Sequence, residues 1–226
     1  MTDFGRVKAL AFDYYGTIAD KQALAGIIDE SFPGQGQAIA KLWFATLQRY
    51  AFQNGMMERY IPWDELTKAA FKFTAADLGL DVSDAKRDEL IAADVSLPTF
   101  PESARALERL AARFKLYVLS MGAPQMIAAS QKNAGIDPYF TDIITTQDRQ
   151  IYKPGRPAYE LGVERIGLSA DEIAFVSGNS FDVIGSKNFG FPTIWVHRYG
   201  QPLDDFGLEP DLIVTDLDEM ANALGA

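Results

Sequence analysis

A short apolar segment that ends in a carboxylate is the feature that most constrains the fold of this chain. The segment Ala9–Phe12 is followed directly by Asp13, and a polar turn then continues to Thr17. An apolar run of this length predicts a strand that is buried on both faces of a sheet. A charged group at the carboxyl end of such a strand lies where open α/β sheets bind their ligands. The segment therefore predicts an α/β fold with a functional site at Asp13.

Further short apolar segments alternate with helical patterns along the rest of the chain. From Ala104 to Phe114, for example, apolar side chains recur every three or four residues, which is typical of an amphipathic helix. Alternation of strands and helices predicts a doubly wound parallel sheet. The predicted strands are Val7–Phe12, Lys115–Leu119, Ile143–Thr146, Ile173–Val176, Thr193–Val196 and Leu212–Val214.

One segment, residues 19–97, interrupts this alternation. It contains the helical patterns Gln37–Gln53, Trp63–Leu78 and Ala85–Ala93 and has no convincing strand pattern. We therefore predict a helical cap domain over residues 19–97, inserted into a core domain formed by residues 1–18 and 98–226. Its residues Trp43, Phe52 and Met56 would supply a contact if the protein forms a homodimer.

Composition excludes several classes of function. The chain has no cysteine and a single histidine, His197, so disulfides, thiolate catalysis and sites rich in cysteine or histidine are excluded. The net charge of −10 argues against a nucleic-acid partner, because binding to a phosphate backbone needs clustered lysine and arginine. His197 follows a predicted strand, and we expect a structural role for it.

The sequence offers no sign of a membrane association. It contains no apolar run that is long enough to cross a bilayer. The first residues are neither basic nor followed by the apolar region of a signal peptide. We therefore expect a cytoplasmic protein without a membrane partner.

Polar residues also follow two of the other predicted strands, and a lysine lies in a loop. Ser120 follows the second strand, Lys153 precedes a proline, and the segment Ser177–Asp182 follows the fourth strand. Each feature has an ordinary structural explanation when it is taken alone. Asp13 suits a turn, a loop lysine is commonly solvated, and Ser177 and its neighbours suit the start of a helix.

Taken together and in this order, these motifs resemble those of the haloacid dehalogenase superfamily, and most closely the L-2-haloacid dehalogenases. The resemblance spans nearly the whole chain. It implies that Asp13 is a nucleophile and that Lys153 beside it lowers the pKa of the carboxyl group, which keeps it ionised. The alternative is a dehalogenase-like fold retained as a non-catalytic binding module, which has no need for a nucleophile with its full polar surround.

The resemblance also implies roles for the polar residues around the nucleophile. Asp182 is the candidate for positioning or deprotonating the hydrolytic water. Thr17 and Tyr159 are expected to form hydrogen bonds in the same cluster, although a threonine at the edge of the core and a packed tyrosine are the alternatives. The predicted catalytic residues are Asp13, Lys153, Asp182, Thr17, Ser177, Asn179 and Tyr159.

Two departures from the phosphatases of the superfamily indicate a different chemistry. Those enzymes carry a second aspartate two residues after the nucleophile and a further aspartate for Mg²⁺, but this chain has Tyr15 and Gly178 at these positions. Mg²⁺ would have fewer carboxylate ligands, and a leaving alkoxide would have no obvious proton donor. We therefore expect neither a metal nor another cofactor.

The remaining chemistry is hydrolysis of a small-molecule carboxylate through an aspartyl ester. Water would attack the carbonyl carbon of that ester and release a 2-hydroxy acid with inverted configuration. Backbone N–H groups after Asp13 and the Ser120 hydroxyl would bind the substrate carboxylate. The predicted substrate-binding residues are Tyr14, Tyr15, Ser120, Met121, Phe44, Trp63 and Phe181.

The leaving group is where the chain departs most from the L-2-haloacid dehalogenases. In those enzymes an arginine at the position of Phe44 and an asparagine at the position of Met121 cradle the halide. Their absence favours an amine leaving group, because aromatic faces such as Phe44 and Trp63 accommodate a cation. The simplest such substrate is L-azetidine-2-carboxylate, which would open to 4-amino-2-hydroxybutyrate.

The alternative is a true L-2-haloacid dehalogenase. Phe44 would then be a core residue beside Ala40, Leu47 and Ala51, and another arginine, such as Arg49, would rebuild the halide cradle.

Overall fold

The computed structural model describes residues 4–226 and divides them into two compact units. The core unit comprises residues 4–19 and Thr99–Ala226, and the helical unit comprises Asp20–Pro98. The predicted boundaries differ from these by one residue at each end. Ala19 belongs to the core unit because it forms β-bridges with Tyr15 and Thr99. The Asp20 N–H donates to the Pro98 carbonyl (2.8 Å) inside the helical unit.

The core unit is built on a six-stranded sheet, and every pair of neighbouring strands is parallel. The spatial order β3-β2-β1-β4-β5-β6 is that of a doubly wound sheet, so the predicted fold class is confirmed. The strands are β1 (Ala9–Phe12), β2 (Lys115–Ser120), β3 (Phe140–Thr145), β4 (Ile173–Ser177), β5 (Thr193–Val196) and β6 (Leu212–Val214).

Two strands, β1 and β3, begin two or more residues from their predicted starts, and the ends of β2, β3 and β4 differ from the prediction by one residue each. β1 begins at Ala9 because the Val7 N–H donates to the Phe4 carbonyl (3.1 Å) and closes a preceding turn. β3 begins at Phe140 rather than Ile143. Its first residues escaped notice because β3 is an edge strand, where the polar Thr141 and Asp142 remain partly exposed and interrupt the apolar pattern.

Helices cover the sheet, and aromatic side chains fill one of the layers between them. The ring of Tyr159 packs edge-on against Phe175, with 5.6 Å between the ring centroids, and also contacts Phe189 and Phe191. The helices of the core unit are α5 (Ser103–Ala111), α6 (Pro124–Ala134), α7 (Arg156–Ile166), α8 (Ser180–Phe189) and α9 (Leu217–Ala223).

The helical unit consists of α1 (Ala23–Ser31), α2 (Gly36–Met56), α3 (Trp63–Asp77) and α4 (Asp84–Val95). The three predicted helices are present, and α1 is additional. This helix has only nine residues, and its buried residues are Leu24 and Ile28.

Trp43 is fully buried inside the helical unit. Its indole N–H donates to the Thr67 carbonyl (3.0 Å), and its ring packs against Phe71. The expectation that Trp43 supplies a homodimer contact is therefore wrong, because the side chain is not at a surface. Met56 at the end of α2 is exposed, and a homodimer stays a prediction. Among residues 4–226, none of the helices has the length and hydropathy that a membrane span needs.

Candidate active site

The candidate site lies at the carboxyl edge of the sheet, where β1 and β4 are neighbours. From β1 the chain order runs outward through β2 to β3, and from β4 it runs in the opposite direction to β6. Such a reversal leaves a crevice beyond the strand ends, where ligands bind in this class of fold. Asp13 directly follows β1, and Ser177 is the last residue of β4.

Lys153 lies between two carboxylates and is fully buried. Its Nζ donates to Asp13 Oδ1 (2.9 Å), to Asp182 Oδ2 (2.6 Å) and to the Leu119 carbonyl (3.0 Å), which uses all three ammonium protons. Burial lowers the pKa of Lys153, but the charges of Asp13 and Asp182 outweigh burial and raise it. The side chain therefore stays protonated.

The second oxygen of Asp13 is held by two other side chains. Asn179 Nδ2 donates to Asp13 Oδ2 (2.7 Å) and to the Tyr15 carbonyl (3.0 Å). Thr17 Oγ1 donates to the same Oδ2 (3.3 Å) and accepts from the Gly178 N–H (2.8 Å). The carboxylate of Asp13 is thus fixed in orientation by three donors.

Asp182 lies behind Lys153 and is bonded to Tyr159. The Tyr159 hydroxyl donates to Asp182 Oδ1 (2.7 Å), so each oxygen of Asp182 has a partner. Burial raises the pKa of Asp182 to about 6, against the opposing charge of Lys153. Burial also raises the pKa of Tyr159 well above its ordinary value, so the phenol remains protonated as a donor.

These contacts join most of the predicted catalytic residues. We call Asp13, Thr17, Lys153, Tyr159, Asn179 and Asp182 the nucleophile cluster. Tyr159 is both packed and bonded, so the two alternatives for it are both realised. Asp13 retains 6% exposure, whereas Asp182 has none. Of the two carboxylates, Asp13 is therefore the one that an incoming molecule can reach.

Ser177 contacts the cluster through the backbone of Asn179. Its Oγ accepts from the Asn179 N–H (3.0 Å) and helps to fix the turn that carries that side chain.

Two glycines shape the turns beside the nucleophile. Gly16 has a φ of 83°, a conformation that favours glycine. A Cβ atom at Gly178 would lie 2.2 Å from the Gly16 carbonyl oxygen. An aspartate at position 178 would therefore require the two turns to move apart, which gives a physical reason for the absence of that carboxylate.

Ser120 is the last residue of β2, Met121 follows it, and both are buried. Ser120 Oγ accepts from the Gly122 N–H (3.2 Å). A Cβ atom at Gly122 would lie 2.8 Å from the Tyr15 ring, so this turn and Tyr15 are in close contact. The structure therefore brings Ser120, Met121 and Tyr15 to one edge of the sheet.

Tyr14 was predicted to bind substrate, but its side chain points into the core. The ring is fully buried, and the hydroxyl donates to Ser130 Oγ (2.8 Å). Burial raises the pKa of Tyr14 to about 12. The prediction that the Tyr14 side chain binds substrate is therefore wrong, and only the Tyr14 backbone remains a candidate.

Phe181, another predicted substrate-binding residue, is half-buried in the first turn of α8.

Phe44 and Trp63 belong to the helical unit and are both half-buried. Phe44 stacks on Trp43, and the Lys21 ammonium lies 5.6 Å from the centre of its ring. Arg49, the expected substitute for the halide arginine, instead lies over the rings of Tyr50 and Phe73. The contact between Lys21 and Phe44 was not predicted, because nothing in the spacing from position 21 to position 44 indicates it.

Within the part of the chain that the structure describes, no three acidic or histidine side chains are grouped as metal ligands would be. Asp13 and Asp182 are the two carboxylates of the nucleophile cluster, and each is bonded to Lys153.

The chain is similar in sequence to proteins of known function. A family model described as haloacid dehalogenase-like hydrolase matches residues 7–190. The chain is 38% identical over 212 residues to an (S)-2-haloacid dehalogenase from Pseudomonas sp. (strain YL), which covers 93% of this chain and 91% of that protein. It is 34% identical to haloacetate dehalogenase H-2 from Moraxella sp. (strain B), with 97% of this chain and 98% of that protein covered.

A solved structure extends the similarity to three dimensions. The L-2-haloacid dehalogenase from Xanthobacter autotrophicus, solved with chloropropionic acid covalently bound, superimposes with a TM-score of 0.91 at 29% identity. The alignment covers 97% of this chain and 99% of that chain.

Proposed function

The chain belongs to the haloacid dehalogenase-like hydrolases, and from that premise we propose that it hydrolyses a small 2-substituted carboxylate through an ester of Asp13. One observation carries the proposal: the Asp13 carboxylate is fixed by Lys153, Thr17 and Asn179 at the switch point of the sheet. A nucleophile that is held in one orientation avoids much of the entropy cost of a displacement reaction.

In the first step, an oxygen of Asp13 attacks C2 of the substrate from the side opposite the leaving group. The new O–C2 bond forms as the bond from C2 to the leaving group breaks, and the leaving group takes the electron pair. The Lys153 ammonium holds the Asp13 carboxylate in place for this attack by donating to its Oδ1 (2.9 Å). Backbone N–H groups after Asp13 and the Ser120 hydroxyl bind the substrate carboxylate.

In the second step, water attacks the carbonyl carbon of the Asp13 ester. The bond from that carbon to the ester oxygen, which Asp13 contributed in the first step, then breaks. The ester oxygen takes one proton from the water and leaves as the hydroxyl of the 2-hydroxy acid, with inverted configuration at C2. The water oxygen remains in the regenerated Asp13 carboxylate, and the second proton is released.

Asp182 was the predicted group for positioning this water, but it has no exposure and its two oxygens are bonded to Lys153 and Tyr159. We therefore assign it the role of holding Lys153 beside Asp13. The chain supplies both steps without a metal.

The first candidate substrate is an L-2-haloacid. The names of the Pseudomonas and Xanthobacter relatives support it, and the covalently bound chloropropionic acid of the Xanthobacter protein supports an ester mechanism. The resemblance assigns the position of Phe44 to an arginine that contacts halide. In this chain the Lys21 ammonium lies over the Phe44 ring. Lys21 therefore replaces Arg49 as the candidate cation for a departing halide.

The second candidate is L-azetidine-2-carboxylate, and the residues at positions 44 and 121 favour it. Neither Phe44 nor Met121 offers a hydrogen-bond donor to a departing halide. An aromatic face can accommodate an ammonium group, but the Lys21 ammonium already lies over the Phe44 ring and would oppose a second cation there. Two preorganised donors that are each worth about 10²-fold or more in rate would be missing for halide. Ring strain would help the amine to leave.

A competition experiment tests both candidates. Purified protein is given 2-chloropropionate and L-azetidine-2-carboxylate, and released chloride and amino-hydroxy acid are measured with and without exhaustive chelation. We expect turnover of one substrate, unchanged by chelation. Efficient release of chloride without ring opening would exclude the amine proposal, and a requirement for Mg²⁺ would exclude the metal-free mechanism.

The ester itself is tested by a single turnover in ¹⁸O-labelled water. Because water attacks the Asp13 carbonyl carbon, the label should appear first in Asp13, where mass spectrometry of the peptide detects it. Label in the product of the first turnover, with none in the protein, would exclude the ester.

A further inference from the structure

The segment that follows β5 contacts both turns that carry the nucleophile cluster. The Arg198 guanidinium donates to the Thr17 carbonyl (3.1 Å), and Gln201 Nε2 donates to the Gly178 carbonyl (3.1 Å). Thr17 and Gly178 are themselves joined, because the Gly178 N–H donates to Thr17 Oγ1. The segment therefore closes a ring of hydrogen bonds around these two turns.

Arg198 is also fixed on its other side by the chain segment that re-enters the core unit. Its guanidinium forms an ion pair with Glu102 (2.6 Å) and lies 3.7 Å from the centre of the Phe100 ring. Both charged side chains are largely buried, with 7% and 12% exposure. A buried pair with an aromatic face beneath it holds the arginine in one position far better than a surface pair would.

The position of Arg198 decides where the Thr17 hydroxyl lies. Residue 17 ends a turn in which the Tyr14 carbonyl accepts from the N–H groups of Thr17 and Ile18. Its own carbonyl is held by Arg198, and its hydroxyl donates to Asp13 Oδ2. Loss of the guanidinium would free the carbonyl end of this turn, and the hydroxyl would move relative to the carboxylate.

We propose that Arg198 is a positioning residue for the nucleophile: it holds the Thr17 carbonyl so that the Thr17 hydroxyl orients Asp13 for attack. This proposal rests on the function proposed above, because it assigns Asp13 as the attacking group. Arg198 touches no reacting atom, and its effect passes through Thr17. Misplacement of a catalytic group by about 1 Å can cost on the order of 10²-fold in rate.

A double-mutant cycle between Arg198→Met and Thr17→Val tests the proposal. Methionine keeps an unbranched apolar side chain over Phe100 but removes the donors. We expect Arg198→Met to lower kcat by about 10- to 100-fold with little change in KM. The double variant should be no slower than Thr17→Val alone, because both changes remove the same interaction. Independent, multiplying losses would overturn the proposal.

Arg113→Met is the matched control. Arg113 also lies over a phenylalanine ring and donates to a backbone carbonyl, that of Gly225 (2.7 Å), but it is bonded to neither turn. We expect its kcat to stay within about twofold of the wild type. If Arg198→Met does not fold, Arg198→Lys replaces it in the cycle. Lysine keeps the charge opposite Glu102 and, having no fork of donors, is expected to lose kcat in the same way.

Amide exchange of Gly178 gives a readout that needs no substrate. Its N–H donates to Thr17 Oγ1, so release of the Thr17 turn should speed its exchange in Arg198→Met by about tenfold or more and leave it unchanged in Arg113→Met. Unchanged exchange in a folded Arg198→Met would overturn the proposal. If the wild type turns over neither candidate substrate, the proposed function fails, and the exchange result still decides the place of Arg198.

Discussion

The nucleophile cluster of the core unit and the surroundings of Phe44 in the helical unit match the dehalogenase resemblance to different degrees. In the cluster, Asp13, Lys153 and Asp182 are present, and Lys153 is bonded to both carboxylates. In the helical unit, an aromatic ring with a lysine over its face replaces the expected arginine. Under the proposed function, bond formation depends on the cluster, and the chain departs from the resemblance at Phe44 in the helical unit and at Met121 in the core unit. Substitutions in the two regions should therefore differ in kind as well as in size.

Asp13→Asn should have the largest effect, and it should be the same for every substrate. We expect a loss of turnover of about 10⁴-fold or more, because the attacking oxygen of the carboxylate is replaced. Lys153 retains Asp182 as a partner, so the fold should survive. Steady-state kinetics and a thermal unfolding curve check both points. Retention of more than a tenth of the activity would remove Asp13 from the mechanism.

Lys153→Met should follow, with an effect on both rate and stability. Loss of the cation should cost about 10²- to 10³-fold in kcat. It also leaves two buried carboxylates without their shared partner, so denaturant unfolding should reveal a loss of about 3–5 kcal/mol.

Lys8→Met is the matched control, since Lys8 forms an exposed ion pair with Glu172. It should cost about 1 kcal/mol or less. Similar losses of stability for the two lysine variants would contradict the description of Lys153 as the cation of a buried cluster.

The pair Phe44→Arg with Met121→Asn should have a smaller effect on rate but should change the preference for substrate. The new cation opposes a ring ammonium and stabilises a departing halide, so the ratio of the two kcat/KM values should shift toward 2-chloropropionate by about tenfold or more. Phe206→Arg adds the same charge at an exposed phenylalanine and serves as the control. An unchanged ratio would mean that these two positions do not select the leaving group.

Asp94→Asn should change stability rather than chemistry. Burial raises the pKa of Asp94 from 3.8 to about 6, while the charge of Lys21 opposes the shift. A carboxyl group with a raised folded-state pKa contributes stability below pH 3.8 and loses it as the pH rises through about 6. The variant should therefore match the wild type near pH 4 and exceed its unfolding free energy by at most about 3 kcal/mol above pH 7. Equal differences at both pH values would contradict this.

Much of the fold and of the cluster was legible from the sequence by itself. Strands buried on both faces require continuous apolar runs, and β1 and β5 lie within the segments predicted from those runs, while β4 extends its segment by one residue. All strands of a parallel sheet end at the same edge, so polar residues that follow β1 and β4 had to lie close together. For this reason the sequence alone was enough to group Asp13 with Asn179.

Only the tertiary structure decided which atoms meet. Local patterns indicate which face of an element is buried, but they do not identify partners that are more than a hundred residues away. Lys153 reaches Asp13 across 140 positions, and the Gly178 N–H reaches Thr17 across 161. Packing turned the Tyr14 ring into the core, and it brought Arg198 to the Thr17 carbonyl across 181 positions. These contacts depend on how distant segments pack, and no spacing of residues along the chain encodes them.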